Sequence, residues 1–147
     1  MSERKFYGEL VMWKRLQHPN IVPVRGVTTE IPQSFEIVCD WMVNGNITEY
    51  VRKNSKAKPI ELLWDVADGI HYLHSCEIIH GDLKAANILI DKDGYACLTD
   101  FGLASMIRRN EPAEIPNGGT VTKEMDIFRF AMVAVEVCIR GVFDGVV

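Results

Sequence analysis

The stretch from Ile78 to Gly102, IIHGDLKAANILIDKDGYACLTDFG, constrains the fold of this chain more than any other part of its sequence. Two carboxylates, Asp82 and Asp100, lie near its ends, with Lys84 and Asn87 between them. A short strand pattern leads from the asparagine to the second carboxylate. Carboxylate and amide oxygens are ligands that magnesium accepts, and a lysine can neutralise phosphate. The residues therefore indicate a site that handles a metal–phosphate group.

Composition places the chain among globular proteins of ordinary domain size. It has 147 residues, of which 48% are hydrophobic and 24% are charged. The net charge of -4 gives no sign of a nucleic-acid surface. The longest apolar run, FAMVAVEVCI, contains Glu136 and is too short to span a bilayer, and the first residues lack the apolar core of a signal peptide. We therefore expect a cytoplasmic chain with neither a membrane nor a nucleic acid as its partner.

Several metal or disulfide patterns are present only in part. The four cysteines lie far apart without a CxxC pair, which favours free thiols over a disulfide or zinc framework. His71 and His74 are one helical turn apart, but no further ligand cluster accompanies them, which favours a surface or packed pair over zinc ligands. The run from Asp91 to Gly94 begins like a calcium loop, but the later ligands do not follow, so a hairpin turn is favoured.

Hydrophobic periodicity predicts helices at both ends of the chain and in its middle. The final helix, from near Lys123 to Gly141, is apolar on nearly all sides and should be buried in a larger body. A polar, turn-rich loop is expected before it, over residues 103–120. The other predicted elements are a helix over 4–17, a hairpin of IVPVRGVTT and SFEIVCDWM, a short helix ITEYVRKN, and a longer helix with an apolar face over 60–73.

With these elements around it, the central stretch resembles the catalytic loop and the DFG triplet of eukaryotic-type protein kinases. The resemblance extends from Phe6 to Gly141 and is closer to serine/threonine and tyrosine-kinase-like groups than to small-molecule kinases. It implies an α+β fold with most of a helical large lobe and a remnant of the β-rich small lobe. Residues 1–42 would form the small-lobe remnant and the entry to the hinge, and residues 43–147 a partial large lobe.

The resemblance also implies a reaction, ATP-dependent phosphoryl transfer to protein hydroxyl groups, with Mg2+ as the metal and a protein as the substrate. Asp82 would accept or orient the proton of the substrate hydroxyl, and Lys84 would face the γ-phosphate. Asn87 and Asp100 would bind the magnesium ion. Leu89 would lie beneath the adenine ring.

Further residues match the family at positions that hold the nucleotide or support the site. Cys39 would be the gatekeeper, and the hinge residues Asp40, Trp41 and Met42 would meet the adenine edge. The remaining matches are structural or regulatory: Glu9 as the ion-pair glutamate, His80 and Phe101 in the stack that links the lobes, Gly102 in the DFG triplet, and Asp126 as the residue that holds the catalytic-loop backbone.

The chain also departs from the family pattern. No GxGxxG and no VAIK-like run occurs in it, and the APE segment is not found before the final helix. Gly81 stands where the family has an arginine that meets a phosphorylated activation loop. In the final helix, Arg129 and Ala131 replace residues that are usually small, and Arg129 is expected on an otherwise apolar surface.

These departures leave two alternatives open beside an active kinase: a catalytically inactive pseudokinase or scaffold, and a truncated fragment without function. They also lead to three expectations. ATP binding should be weak and magnesium-dependent at best, and phosphoryl transfer should be very slow or absent. Apolar residues of the final helix, including Phe128, Met132 and Val135, should lie exposed and would suit a protein partner.

Overall fold

The computed structural model describes residues 10–28, 36–100, 105–106, 113–114 and 120–143. Together they form an α+β fold, in which each sheet within these ranges has two strands. The helices are α1 (10–14), α2 (Ile47–Lys53), α3 (Pro59–Ser75) and α4 (Lys123–Phe143), with a single 3-10 turn at Ala85–Asn87. The strands are β1 (Val24–Thr28), β2 (Glu36–Cys39), β3 (Ile78–Ile79), β4 (Ile88–Ile90), β5 (Ala96–Leu98), β6 (Ser105–Met106), β7 (Ala113–Glu114) and β8 (Thr120–Val121).

The predicted hairpin and the three later helices are confirmed. Strands β1 and β2 pair antiparallel, and their register places Val24 opposite Cys39. Helix α3 begins at Pro59, whose missing N–H costs nothing in a first turn. The loop expected over 103–120 is only partly right, because β6 pairs with β3 and β7 pairs with β8. Two-residue strands of this kind carry no periodic signal that a sequence could reveal.

The core lies between α3 and the β4–β5 hairpin. Val66 and Leu73 of α3 are fully buried, as are Ile88 and Leu98 on the hairpin. Their burial stabilises the fold by roughly 1.5–3 kcal/mol for each side chain. The hairpin turn between the strands is closed by Asp91, whose carboxylate accepts from the backbone N–H groups of Asp93 and Tyr95. The run from Asp91 to Gly94 is therefore the hairpin turn that the sequence favoured over a calcium loop.

Residues 20–22, which precede β1, form backbone hydrogen bonds with β5 as a third strand would. The Val22 N–H donates to the Leu98 carbonyl at 3.0 Å, and the Leu98 N–H donates to the Asn20 carbonyl at 2.9 Å. The buried Asn20 side chain donates to the Ala96 carbonyl at 2.9 Å. These bonds fix the strand that leads directly to Asp100, so the carboxylate follows a rigid element.

Helix α4 has one buried face and one exposed apolar face. Val133 and Val137 are buried against the core, whereas Phe128 is 68% exposed and Met132 is 56% exposed. The expectation of exposed apolar residues on this helix is therefore confirmed, and the expectation that the whole helix is buried is wrong for this face. Within the described ranges, no helix combines the length and the apolar character needed to cross a membrane.

Replacing Gly69 tests the close packing of α3 on the strand segment. A Cβ atom at this position would lie 3.0 Å from the Asn20 carbonyl oxygen and 3.0 Å from Leu98 Cδ1. We expect Gly69→Ala to lower the free energy of unfolding by about 1–2 kcal/mol, because an overpacking cost of about 1–3 kcal/mol exceeds the gain in helix propensity. Urea unfolding, monitored by circular dichroism, measures this change in the free energy of unfolding.

Gly26→Ala is the matched control, because a Cβ atom there would meet nothing within 4 Å. We expect this variant to be neutral or slightly more stable, by up to about 1 kcal/mol. Equal effects of the two substitutions would contradict the packing described for α3.

Candidate active site

A buried carboxylate, that of Asp126, binds the backbone of the loop between β3 and the 3-10 turn. Asp126 is fully buried on α4, and its two oxygens accept from the backbone N–H groups of His80 and Gly81, each at 2.9 Å. A buried carboxylate is stable only when its oxygens are paired in this way. The loop backbone is thereby tied to the first turn of α4.

Asp126 has a third partner that sequence reasoning missed. His74 Nε2, at the end of α3, lies 2.9 Å from Asp126 Oδ2, and Lys123 Nζ donates to the His74 carbonyl at 2.9 Å. His74 is packed against Asp126 and His71 is exposed, the arrangement expected of a surface or packed pair. The nearest signal in the sequence was the position of His74 in the last turn of α3, which did not reveal its partner.

Around Asp82 the loop brings together three of the predicted residues. Lys84 Nζ donates to Asp82 Oδ2 at 2.7 Å, and this hydrogen bond raises the pKa of the lysine. Asn87 Nδ2 donates to the Asp82 carbonyl at 2.8 Å and lies 3.3 Å from Asp82 Oδ2. Asp82 is about one third exposed and Asn87 is buried. The arrangement offers a carboxylate, a cation and an amide at one point on the surface.

His80 lies directly beneath this group and is fully buried. Its Nδ1 accepts from the Asp82 N–H at 3.3 Å, and its Nε2 lies 3.0 Å from the Thr99 carbonyl. Burial lowers the pKa of the imidazole, although the Asp126 carboxylate opposes this effect. We therefore assign a neutral ring with its proton on Nε2, which links the loop to the residue before Asp100.

Asp100 is placed beside the loop by the backbone. The Thr99 N–H donates to the Asn87 carbonyl at 3.0 Å. Because Asp100 directly follows Thr99, this bond makes the two predicted metal ligands, Asn87 and Asp100, neighbours. Asp100 has a φ of 59°, in the left-handed region, and its side chain is exposed. Such a conformation costs about 1–3 kcal/mol in a residue other than glycine and is found preferentially at functional sites.

The predicted hinge residues lie on the connection from β2 to α2. Asp40 accepts two hydrogen bonds from the Arg25 guanidinium, both at 2.6 Å, and Arg25 lowers the pKa of this carboxyl. Trp41 is 87% exposed. The Gly45 N–H donates to the Met42 carbonyl, and the Gly45 carbonyl accepts from Ile90, which follows Leu89 on β4. The end of this connection is thus attached to the predicted adenine floor.

A cavity of about 740 Å³ lies beside this connection, but it is not part of the site around Asp82. Its walls include Asp40, Trp41 and Met42, together with Leu16 and Ile21. Leu89, Asn87 and Asp100 are not among its lining residues. The volume suits a ligand, but the groups with phosphate chemistry lie elsewhere.

Three predicted site residues, Glu9, Phe101 and Gly102, lie outside the described residues. One described residue, Arg129, reaches the site without having been predicted to do so. Its Nη1 donates to the Gly81 carbonyl and lies 3.9 Å from Asp82 Oδ1. Arg129 has the apolar neighbours Met132 and Val133, as expected, but its guanidinium turns towards the loop. Its spacing of three residues from Asp126 was the available signal.

Removing the Asp126 carboxylate tests its role in holding the loop. We expect Asp126→Ala to lower the free energy of unfolding by about 3–5 kcal/mol, because it leaves two buried N–H groups without an acceptor. Chemical unfolding measures this loss. The control Glu124→Gln changes an exposed carboxylate of the same helix and should cost less than about 1 kcal/mol. A similar loss in both variants would contradict the assignment.

The buried neutral His80 predicts a pH dependence of stability. Its pKa is lowered in the folded state, so below about pH 6.5 the unfolded chain binds a proton that the folded chain does not. This contribution therefore destabilises the fold as the pH falls below about 6.5, by at most about 1.4 kcal/mol per pH unit. Urea unfolding from pH 5 to 8 should show a steeper slope for the wild type than for His80→Gln. Parallel slopes would contradict a buried neutral ring.

Comparison with known proteins shows which family this chain resembles. The family model described as protein tyrosine and serine/threonine kinase matches residues 1–144. Similar proteins include the L-type lectin-domain containing receptor kinase VII.1 of Arabidopsis thaliana, 30% identical over 91% of this chain and 23% of its own length. Serine/threonine-protein kinase 12 of the same plant is 30% identical over 90% of this chain and 33% of its own length.

A relative from an animal is similar over a shorter range. The discoidin domain-containing receptor tyrosine kinase B of Caenorhabditis elegans is 34% identical over 75% of this chain and 14% of its own length. The chain thus spans between 14% and 33% of the length of these three relatives. Because the family model covers nearly the whole sequence, this chain belongs to the protein tyrosine and serine/threonine kinase family.

Proposed function

We propose that this chain carries the catalytic-loop part of a protein kinase and takes part in ATP-dependent phosphoryl transfer to protein hydroxyl groups. The observation that supports this most is the cluster of Asp82, Lys84 and Asn87 on a loop tied to the buried Asp126. In this proposal, residues 1–42 form the small-lobe and hinge part, and residues 43–147 the large-lobe part.

Within the cluster, Asp82 is the residue that orients the substrate hydroxyl and takes its proton. Phosphoryl transfer needs positioning and neutralisation of spreading negative charge more than covalent help. Lys84 is about half exposed and its pKa is raised, so it stays charged and can turn from Asp82 towards a phosphate oxygen. These two properties suit the roles that the family resemblance implies.

Asn87 and Asp100 fit a magnesium ion that arrives with its nucleotide. The Asn87 amide nitrogen is used in binding Asp82, which leaves the amide oxygen as the ligand atom. Asp100 is exposed beside it, and both are hard oxygen donors. Within the described residues no group of three or more His, Cys, Asp or Glu could hold a metal alone. A magnesium ion with few protein ligands and added phosphate oxygens meets this donor set, and when bound it would neutralise phosphate charge.

The nucleotide base would then lie against Leu89 and the backbone of residues 40–42. The Asp40 side chain is held by Arg25 and points to β1, so the hinge would contribute backbone groups rather than this carboxylate. Burial and the neighbouring Asp40 raise the pKa of the Cys39 thiol, which therefore acts as a small neutral residue.

A scaffold without catalysis is the second candidate. It is favoured by Gly81 in place of the family arginine and by the exposed apolar face of α4, where Ile127 is 53% exposed and Phe128 is 68% exposed. Such a protein would bind a partner independently of nucleotide. Binding of magnesium and ATP without phosphoryl transfer would favour this candidate.

Phosphoryl transfer from radiolabelled ATP to generic protein substrates tests the first candidate. We expect transfer to depend on magnesium and Asp82→Asn to reduce it by about 10²- to 10⁴-fold, because the substrate hydroxyl loses its proton acceptor. Asp93→Asn is the control, since Asp93 lies in the exposed hairpin turn and pairs with Lys92. Transfer that survives Asp82→Asn would refute the assignment of Asp82.

Calorimetry of ATP binding tests the metal ligands separately. We expect weak binding that requires magnesium and that Asp100→Asn weakens by about one to two decades, the effect of losing a charged contact. Tight binding in the absence of magnesium would contradict the roles given to Asn87 and Asp100.

A further inference from the structure

Arg129 approaches the catalytic loop from α4 and contacts it at two points. Its Nη1 donates to the Gly81 carbonyl and lies 3.9 Å from Asp82 Oδ1. The side chain is 30% exposed, so the guanidinium is partly desolvated on the loop. A permanently charged group that donates to the Gly81 carbonyl and lies within ion-pair distance of the Asp82 carboxylate attracts that carboxylate towards itself.

Helix α4 also binds the backbone N–H of Gly81, through Asp126. Asp126 and Arg129 are three residues apart and therefore lie on one face of α4. Asp126 binds the N–H of Gly81, and Arg129 binds its carbonyl, so both polar groups of one residue are held by one rigid element. Gly81 has a φ of 79°, which only glycine adopts without strain.

Asp82 lies between two cations, Lys84 and Arg129, which differ in exposure and in their other contacts. Lys84 Nζ contacts Oδ2 at 2.7 Å and is 53% exposed, whereas Arg129 faces Oδ1 and is held by Gly81. In the proposed function Lys84 turns to the phosphate and cannot hold Asp82 at the same time. Arg129 is then the cation that stays beside the carboxylate.

We propose that Arg129 is a positioning residue for phosphoryl transfer, which keeps the Asp82 carboxylate oriented when Lys84 leaves it. This inference rests on the proposed function. It predicts an effect on turnover more than on nucleotide binding, because Arg129 acts through Asp82 and not through the residues proposed to hold ATP.

Steady-state kinetics of three variants test this inference. We expect Arg129→Met to lower kcat on the order of 10- to 100-fold, the size of effect that misplacement of a reacting group produces, with KM for ATP within about twofold. Arg129→Lys keeps the charge but not the planar fork, and should recover part of kcat. The control Arg52→Met removes an exposed arginine of α2 and should leave both constants unchanged.

A double-mutant cycle of Arg129→Met and Asp82→Asn by urea unfolding gives a readout that needs no activity. The two residues are in contact, so the shift in midpoint of the double variant should differ from the sum of the single shifts. Additive shifts would overturn the contact. The positioning role would also be overturned if kcat fell only in proportion to the loss of folded protein and if Arg129→Lys had no higher kcat than Arg129→Met.

The activity of the wild type separates the role of Arg129 from the proposed function. If the wild type transfers phosphate and Arg129→Met matches its kcat, only the role of Arg129 is refuted. If the wild type transfers none, the proposed function is refuted and the positioning role with it. Coupling in the unfolding cycle would then identify a purely structural contact between α4 and the loop.

Discussion

The site depends on one buried interaction, the binding of two loop N–H groups by the Asp126 carboxylate. A carboxylate is expensive to bury, and the cost is offset only while its hydrogen bonds are complete. His74 supplies a third partner, so α3, α4 and the loop meet at this one group. The position of Asp82 follows, because it is attached to backbone that cannot move without breaking these bonds.

A second constraint holds the strand that leads to Asp100. The Asn20 side chain and the backbone of residues 20–22 bind β5 along one edge, and Gly69 lets α3 approach it closely. His80 then bridges the two parts through the Thr99 carbonyl. Both proposed metal ligands are therefore placed by rigid elements, although Asp100 itself lies in a strained backbone conformation.

Helix α4 combines three functions on different faces. One face contributes Val133 and Val137 to the core, the polar edge carries Asp126 and Arg129, and the remaining face exposes apolar side chains such as Phe128 and Met132. The exposed apolar side chains of α4 lie together on one face, which is unusual because exposed apolar residues are normally scattered. The polar edge is where the helix acts on the loop.

The sequence by itself determined the elements and the local part of the site. Asp82, Lys84 and Asn87 lie within six residues of one another, so their spacing largely sets their contacts, and periodicity was enough to predict α3 and the β1–β2 hairpin. The family resemblance also implied that Asp126 holds the loop backbone, but tertiary structure alone decided which other distant groups support the site. His74 meets Asp126 across 52 residues, Arg129 meets Gly81 across 48, and Asn20 meets Ala96 across 76. Local patterns do not by themselves identify such pairs, because the pairs form only when packing brings separate elements together.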